Sequence, residues 1–171
     1  MTPQDNQILR KLLSGNQRFV NDKSEHPHQD CQRRAEIANN QKPMAVIVSC
    51  SDSRVPPEIV FDQGLGDLFV IRTAGHVVDD VVLGSIEFAV ASLGVSLVLV
   101  LGHERCGAVQ AALTHEKPTG HVLALVTAIR KAIAVESNGE SDPVERAVHA
   151  EVQYAVHQIS QARPVIATAV K

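Results

Sequence analysis

The sequence Ala45-Val46-Ile47-Val48-Ser49-Cys50 runs directly into Ser51-Asp52-Ser53-Arg54, and this stretch decides the fold class. A short apolar run bounded by polar residues is typical of a buried strand. Further along, a second apolar run, Leu97–Leu101, leads into Gly102-His103-Glu104-Arg105-Cys106-Gly107. Because α/β proteins gather functional side chains where parallel strands end, the two polar segments are candidates for one shared site.

Apolar periodicity predicts alternating strands and helices from about residue 41 onward. The predicted strands lie near Ala45–Ser49, Leu68–Arg72 and Ser96–Leu101. The predicted helices are one from Pro57, one from Asp80 to Ser92 that ends at Gly94, and three over Ala108–Thr114, His121–Glu136 and Val144–Gln161, with a break at Ser137–Pro143. This alternation predicts an α/β fold, a central and mostly parallel β-sheet flanked by helices.

The two ends of the chain have different patterns. Residues 5–21 have apolar residues at helical spacing, interrupted by Gly15, and residues 23–40 read as a loop with a short helix near Arg33–Asn39. We predict a single domain over residues 1–171, in which residues 1–40 form an N-terminal helical arm and loop. Val165–Val170 is rich in strand formers and predicts the start of a further strand. The pattern stops at Lys171, which leaves truncation of the carboxyl end as one alternative.

Composition narrows the classes of protein that fit. The chain has 16 basic and 19 acidic residues and a net charge of -3, which gives no electrostatic case for nucleic acid. The run Val95–Leu101 is too short to cross a bilayer, and no secretory signal follows Met1. Three cysteines, an odd number, favour metal or free-thiol roles over a disulfide framework. We therefore expect a cytoplasmic protein with neither a nucleic-acid nor a membrane partner.

The polar segments after the two strands contain a complete ligand set for tetrahedral zinc. Cys50, His103 and Cys106 supply two thiolates and one imidazole, the donors that Zn²⁺ prefers. Two alternatives exist for the fourth position. Asp52 can close the tetrahedron and give an inert, structural centre, or it can pair with Arg54 and leave that position to water, as catalytic zinc sites require.

In these segments the chain strongly resembles the β-class carbonic anhydrases. Their two signatures, Cys-x-Asp-x-Arg and His-x-x-Cys, stand here at Cys50–Arg54 and His103–Cys106. Residues 68–76 and 84–89 also look like segments of that family, and the likeness extends from Asn16 through the final helix. The resemblance implies zinc-dependent, reversible hydration of carbon dioxide to bicarbonate and a proton by a zinc-bound hydroxide. It also implies a homodimer or homotetramer with active sites near the subunit interface.

The resemblance implies roles for individual residues. Cys50, His103 and Cys106 are the implied zinc ligands, joined by Asp52 in the closed state only. Asp52 and Arg54 are the implied catalytic dyad, which orients the nucleophile.

Two further positions are implied to bind substrate. Gln41 corresponds to a glutamine that hydrogen-bonds substrate, and Gly107 offers its backbone near the metal. One subset of the family has a noncatalytic bicarbonate pocket that includes a tryptophan at the position of Ile47, and this chain contains no tryptophan. We therefore expect the open, water-bound resting state.

Two other functions remain as alternatives. The first is a noncatalytic interaction domain that zinc only stabilises. The second is a related zinc hydrolase that acts on another small linear molecule such as carbon disulfide. For the carbonic anhydrase we expect activity that rises above neutral pH, because two thiolates cancel the formal charge of Zn²⁺ and leave its water less acidic than three neutral imidazoles would.

Overall fold

The computed structural model describes residues 1–114, 116–134 and 142–169, which form one parallel sheet with helices around it. The strands are β1 (Ala45–Cys50), β2 (Leu68–Thr73) and β3 (Val98–Leu101). The helices are α1 (Pro3–Val20), α2 (Cys31–Ile37), α3 (Pro57–Val60), α4 (Asp80–Leu93), α5 (Gly107–Leu113), α6 (Val122–Ile133), α7 (Pro143–Gln161) and α8 (Ile166–Ala169). A 3₁₀ turn, Ala74–His76, follows β2.

The sheet has the strand order β2-β1-β3, and β1 pairs in parallel with both neighbours. Every residue of β1 is buried, as its continuous apolar sequence predicts for a central parallel strand. The chain leaves β1 for β2 on one side and later returns to place β3 on the other. The strand order therefore reverses at β1, and such a reversal opens a crevice at the carboxyl ends of the strands.

Side chains that alternate along β1 build a core on each face of the sheet. Val46 and Val48 pack with Ile86 of α4 and Ile159 of α7. Ala45 and Ile47 face the other way, toward the core that also contains Leu12 of α1, Phe61 and Leu97. Cys50 and Cys106 belong to a third cluster, with side chains of α5, α6 and α7. The carboxyl end of β1 is therefore enclosed by the helices that follow β3.

Helix α1 is fixed to the sheet by its start and by one glycine. Thr2 and Asp5 form a capping box, and the Asp5 carboxylate also accepts a hydrogen bond from the Ser96 hydroxyl at 2.6 Å. The helix continues through Gly15, where a Cβ would stand 1.8 Å from the carbonyl oxygen of Phe61. Gly15 therefore permits close approach of the helix and does not end it.

The structure confirms the predicted α/β fold with a parallel central sheet and an N-terminal helix. Each predicted strand or helix up to residue 161 is present among the described residues, with ends shifted by up to two residues except at the end of the helix predicted over His121–Glu136, since α6 ends at Ile133. Gly94 ends α4 in the left-handed conformation, with φ of 71°. Residues 135–141, which hold the end of the predicted helix His121–Glu136 and most of the predicted break, lie outside the described residues.

The further strand predicted for Val165–Val170 is wrong over its described part. The backbone N–H of Ala167 donates to the carbonyl of Ala162, and that of Ala169 donates to Val165, so the segment closes a helical turn instead. Ile166 is 2% exposed and packs with Ile86 and Ile159. Burial against α4 and α7 thus overrides the strand propensity of these residues. Val170 lies outside the described residues.

Among the residues described, the helices are all too short or too polar for a transmembrane span.

We predict that Gly15→Ala destabilises the protein by about 2 kcal/mol, because the new methyl group overlaps the Phe61 carbonyl. Gly84→Ala is the matched control: Gly84 also lies inside a helix, but a Cβ there meets nothing within 4 Å. This control should gain about 0.5–1 kcal/mol from helix propensity. Urea unfolding at equal protein concentration measures both changes, and equal midpoints for the two variants would contradict the packing argument.

Candidate metal centre

Three soft donors from three different segments meet at the carboxyl end of the sheet. Cys50 is the last residue of β1, His103 follows the end of β3, and Cys106 immediately precedes α5. Their candidate ligand atoms all lie within 4.8 Å of one another. The crevice at which the strand order reverses therefore contains two thiols and an imidazole.

The spacing and orientation of these donors suit a tetrahedral ion. The two Sγ atoms are 3.8 Å apart. Two thiolates bound at about 2.3 Å to one tetrahedral zinc ion would also lie about 3.8 Å apart. Nδ1 of His103 lies 2.9 Å from the carbonyl oxygen of Glu104, a contact in which the N–H donates, and the buried Nε2 has no hydrogen-bond partner among the described residues. This arrangement leaves the lone pair of Nε2 free for a metal.

Arg54 holds Asp52 beside the three donors. Nε of Arg54 donates to Oδ1 of Asp52 at 2.9 Å, and Nη2 donates to Oδ2 at 2.7 Å. Oδ2 lies 3.9 Å from Nε2 of His103. The hydrogen bonds from Arg54 hold the pKa of Asp52 well below its usual range, so the carboxyl group is ionised. An ionised carboxylate whose two oxygens are engaged by an arginine acts as an acceptor at the edge of the site.

Backbone contacts fix the end of β1. Arg72 of β2 donates from Nε to the carbonyl of Cys50 at 2.8 Å and from Nη2 to the carbonyl of Asp52. The backbone N–H of Gly75 donates to Sγ of Cys50 at 3.3 Å. Gly75 has φ of 67°, and a Cβ there would approach Ile129 to 2.7 Å, so both conformation and space require glycine.

A second glycine allows α7 to approach the segment that leads to His103. A Cβ on Gly102 would lie 2.6 Å from Val152 and 3.0 Å from Val148, both on α7. The same point is 3.9 Å from the ring of His76, a fully buried histidine whose two nitrogens have no partner among the described residues. Burial lowers the pKa of His76 to about 4, so its ring is neutral at physiological pH.

The two thiols influence each other's proton affinity. The Cys106 thiol donates toward Cys50, and this hydrogen bond lowers the pKa of Cys50. The pKa of Cys106 is raised, first because the hydrogen bond to Cys50 holds its proton and then because burial disfavours the charged thiolate; repulsion by a Cys50 thiolate adds to this shift. Without a cation the pair therefore favours one thiolate, and a bound divalent cation would drive off the second proton.

The remaining predicted site residues lie at different distances from the three donors. Gly107 is the first residue of α5, next to Cys106, and a Cβ on it would meet nothing within 4 Å. Gln41 is exposed and precedes β1, at the opposite end of the strand from Cys50. The six residues of β1 span roughly 16 Å, so Gln41 does not approach the donors of its own chain. Cys31 is exposed on α2 and has no part in the cluster.

Comparison with known proteins identifies the family. The family model described as carbonic anhydrase matches residues 45–171. A carbonic anhydrase of Mycolicibacterium smegmatis is 46% identical over 156 residues, which cover 89% of this chain and 74% of the relative. A structure from Sordaria macrospora, described as one of two tetrameric β-carbonic anhydrases, superposes with a TM-score of 0.72 at 25% identity and covers 96% of this chain and 86% of that chain. The chain belongs to the β-carbonic anhydrase family.

A second curated relative matches over a shorter stretch. Carbonic anhydrase 2 of Mycobacterium tuberculosis is 61% identical over 104 residues, which are 61% of this chain and 50% of the relative. The chain thus matches about half the length of this curated relative.

Some of the contacts that position the donors of this centre were not predicted from the sequence. The role of Arg72 is one example, although an arginine at the end of a strand beside β1 is a signal for a contact to the site. The N–H donor of Gly75 and the close approach at Gly102 depend on backbone position. No side-chain pattern could have indicated them.

Substitution of one donor tests whether the cluster binds zinc. The parent chain is expected to bind about one zinc ion, and Cys106→Ala should lose most of it, because two donors hold the ion much less tightly than three. Cys31→Ala is the control, since this exposed cysteine lies outside the cluster. Metal analysis after gel filtration gives the zinc content, and equal zinc in the two variants would exclude the cluster as the binding site.

Proposed function

We propose that this chain catalyses the reversible hydration of carbon dioxide to bicarbonate and a proton, the reaction of a carbonic anhydrase, which is a lyase. The observation that carries the proposal is the geometry of the metal centre. Three soft donors converge on one point, while Arg54 holds the neighbouring carboxylate away from them. Membership of the β-carbonic anhydrase family supports the same reaction.

Zinc is the metal that we assign to Cys50, His103 and Cys106. The donor set and the 3.8 Å spacing of the sulfurs support this assignment. Bound there, Zn²⁺ would lower the pKa of water toward neutrality and so supply hydroxide for attack on the carbon of CO2. We assign Asp52 to the dyad and not to the ligand set of the open state, because both of its oxygens accept hydrogen bonds from Arg54.

The dyad of Asp52 and Arg54 orients the nucleophile. An ionised carboxylate can only accept hydrogen bonds, so an attacking water or hydroxide would donate a hydrogen bond to Asp52. This contact would leave a lone pair of the nucleophile directed at the substrate. Arg54 also donates to the carbonyl of Arg105 at 3.2 Å. This contact connects the dyad to the segment between His103 and Cys106. The position of the Asp52 carboxylate relative to these two metal donors is therefore fixed.

Substrate contacts are assigned to Gly107 and Gln41. Gly107 presents a backbone without a side chain next to Cys106, where a small linear molecule needs space. Gln41 of the same chain is too distant from the donors, so we assign its contact to the site of a second copy. This assignment requires a homo-oligomer whose interface brings the start of one β1 to the end of another.

Exposed apolar side chains support a homodimer or homotetramer. Val81 and Phe88 on α4 are 76% and 50% exposed, and Leu13 and Val20 on α1 are 56% and 67% exposed. Exposed apolar faces of this kind are typical of subunit interfaces. The tetrameric relatives support such an assembly as well. The single-domain organisation of residues 1–171 stays a prediction, and so does the cytoplasmic location.

We predict that Asp52→Asn keeps its zinc but loses about 100-fold in kcat/KM for CO2 hydration, because the amide no longer offers two acceptor oxygens to Arg54 and the nucleophile. Asp22→Asn is the control, since Asp22 is exposed and its φ of 55° suits asparagine. Stopped-flow indicator assays and metal analysis measure both variants. Full activity of Asp52→Asn would remove the dyad from the mechanism. Full zinc in the parent chain with no CO2 hydration would favour a noncatalytic metal domain.

The activity should rise with pH above neutrality. Two thiolates would cancel the formal charge of a bound Zn²⁺ and leave its water less acidic than three neutral imidazoles would, so the fraction of hydroxide should still increase above neutral pH. Asp52 stays ionised throughout, because the pKa of this carboxyl group lies below its usual range. Stopped-flow rates from about pH 6 to about pH 9 give the profile. A rate that is constant over this range would contradict the assigned donor set.

Mixing two impaired variants tests whether Gln41 acts across subunits, since Gln41→Ala should lose a substrate contact and Asp52→Asn the acceptor of the dyad. In a mixed dimer of Gln41→Ala and Asp52→Asn, one site combines an intact Asp52 with the partner's intact Gln41. Random exchange of subunits should therefore restore roughly a quarter of the sites. The assay is CO2 hydration before and after mixing under conditions of exchange, confirmed by native mass spectrometry. If exchange occurs without recovery of activity, Gln41 does not act in the partner's site.

A further inference from the structure

A polar cavity separate from the metal centre lies between α6, α7 and the segment that follows the 3₁₀ turn. Its volume is about 130 Å³, which is several times the share of one water molecule in liquid water. None of the three metal donors lines it. The lining residues are Val77, Val78, Ala128, Lys131, Glu151, Tyr154 and Gln158.

Glu151 is the unusual member of this lining. Its side chain is buried, the residue is 3% exposed, and Oε2 has no hydrogen-bond partner among the described residues. Burial raises the pKa of Glu151 to about 7. A buried carboxyl group without a partner is costly, and native structures retain such groups mainly where a ligand, an ion or water completes them.

The other polar groups of the cavity also lack partners inside the chain. Over the described residues, the ammonium group of Lys131, the phenol of Tyr154 and the amide of Gln158 make neither a hydrogen bond nor an ion pair. Glu151, Tyr154 and Gln158 are spaced at i, i+3 and i+7 on α7, so one face of this helix presents all three. Lys131 reaches the cavity from α6 and is exposed, so it stands at the rim.

The charges around the cavity restrict what it can bind. An anion would be repelled by the ionised form of Glu151. A simple cation would be repelled by Lys131 at the rim. A molecule with both charges, held apart by one or two carbon atoms, would meet a partner at each end. The phenol and the amide would supply the hydrogen bonds that remain.

We propose that this cavity binds a small zwitterion with a primary ammonium group and a carboxylate, such as a small amino acid. Its ammonium group donates to Glu151, with Tyr154 and Gln158 as further acceptors, and its carboxylate accepts from Lys131. The cavity has space for glycine or β-alanine.

Isothermal titration calorimetry on the zinc-loaded full chain tests the proposal, with glycine and β-alanine as probes. Saturable binding is expected, and Glu151→Gln should weaken it at least about tenfold, because the amide gives the ammonium group no anionic partner. Lys131→Gln should also weaken it. Gln153→Ala is the matched control, an exposed residue of α7 outside the cavity, and should bind like the parent. Glu151→Gln has nearly the same shape and removes a buried charge, and circular dichroism would verify its fold.

The pH dependence provides an independent readout. Glu151 faces Lys131 of α6 and Tyr154 of α7, and the segment at Val77 and Val78 brings no charged side chain to the cavity. Because the ammonium group needs the ionised carboxylate, the affinity for glycine should rise as pH increases through about 7. This rise should be absent in Glu151→Gln.

Several results would overturn the proposal. Ethylammonium that binds as tightly as glycine would show a cation site without recognition of the carboxylate. Acetate that binds as tightly would show an anion site at Lys131. Equal affinity of the parent and Glu151→Gln would place binding elsewhere, and no saturable binding of either zwitterion would leave the cavity to water alone.

Discussion

Parallel pairing of β1 with a strand on each side is the constraint on which the candidate metal centre depends. Pairing places Cys50 opposite Thr73 and Ser49 opposite Leu101, so the end of β1 cannot move relative to the ends of its neighbours. A slip of one residue would turn every side chain of β1 to the other face and remove Sγ from the crevice. The hydrogen bonds of Arg72 to the carbonyls of Cys50 and Asp52 fix this register at the carboxyl end of β1, where the first metal donor lies.

Much of the fold could be predicted from the sequence, because hydrophobic burial governs most of its elements. The apolar run of β1 indicated a central strand, and the glycine at position 94 marked the end of α4. The prediction failed at Val165–Val170, where local strand propensity was weaker than burial of Ile166 between α4 and α7. Gly15 interrupts the apolar pattern of α1 in the sequence, yet in the structure it permits a close contact with a carbonyl that is distant in sequence. Contacts of that kind are not visible in local patterns.

The donors of the site were predictable because their chemistry is restrictive. Few residue types bind a soft cation, and the ends of parallel strands bring such residues together. The sequence permits two states of Asp52 and favours the open one, and the bidentate contact with Arg54 is compatible with that state. The backbone donor at Gly75 and the distance from Gln41 to its own centre required coordinates. Both depend on where the chain lies in space and not on the types of its side chains.

The approach of α7 to Gly102 links two parts of the chain that are far apart in sequence. Val148 and Val152 occupy the space that any side chain at position 102 would need, and His103 is the next residue. In evolutionary terms, the position of the His103 ring depends on residues of a helix that is distant in sequence. A side chain at position 102 can be accepted only after α7 exchanges these valines for smaller residues, so the order in which the two segments can change is fixed.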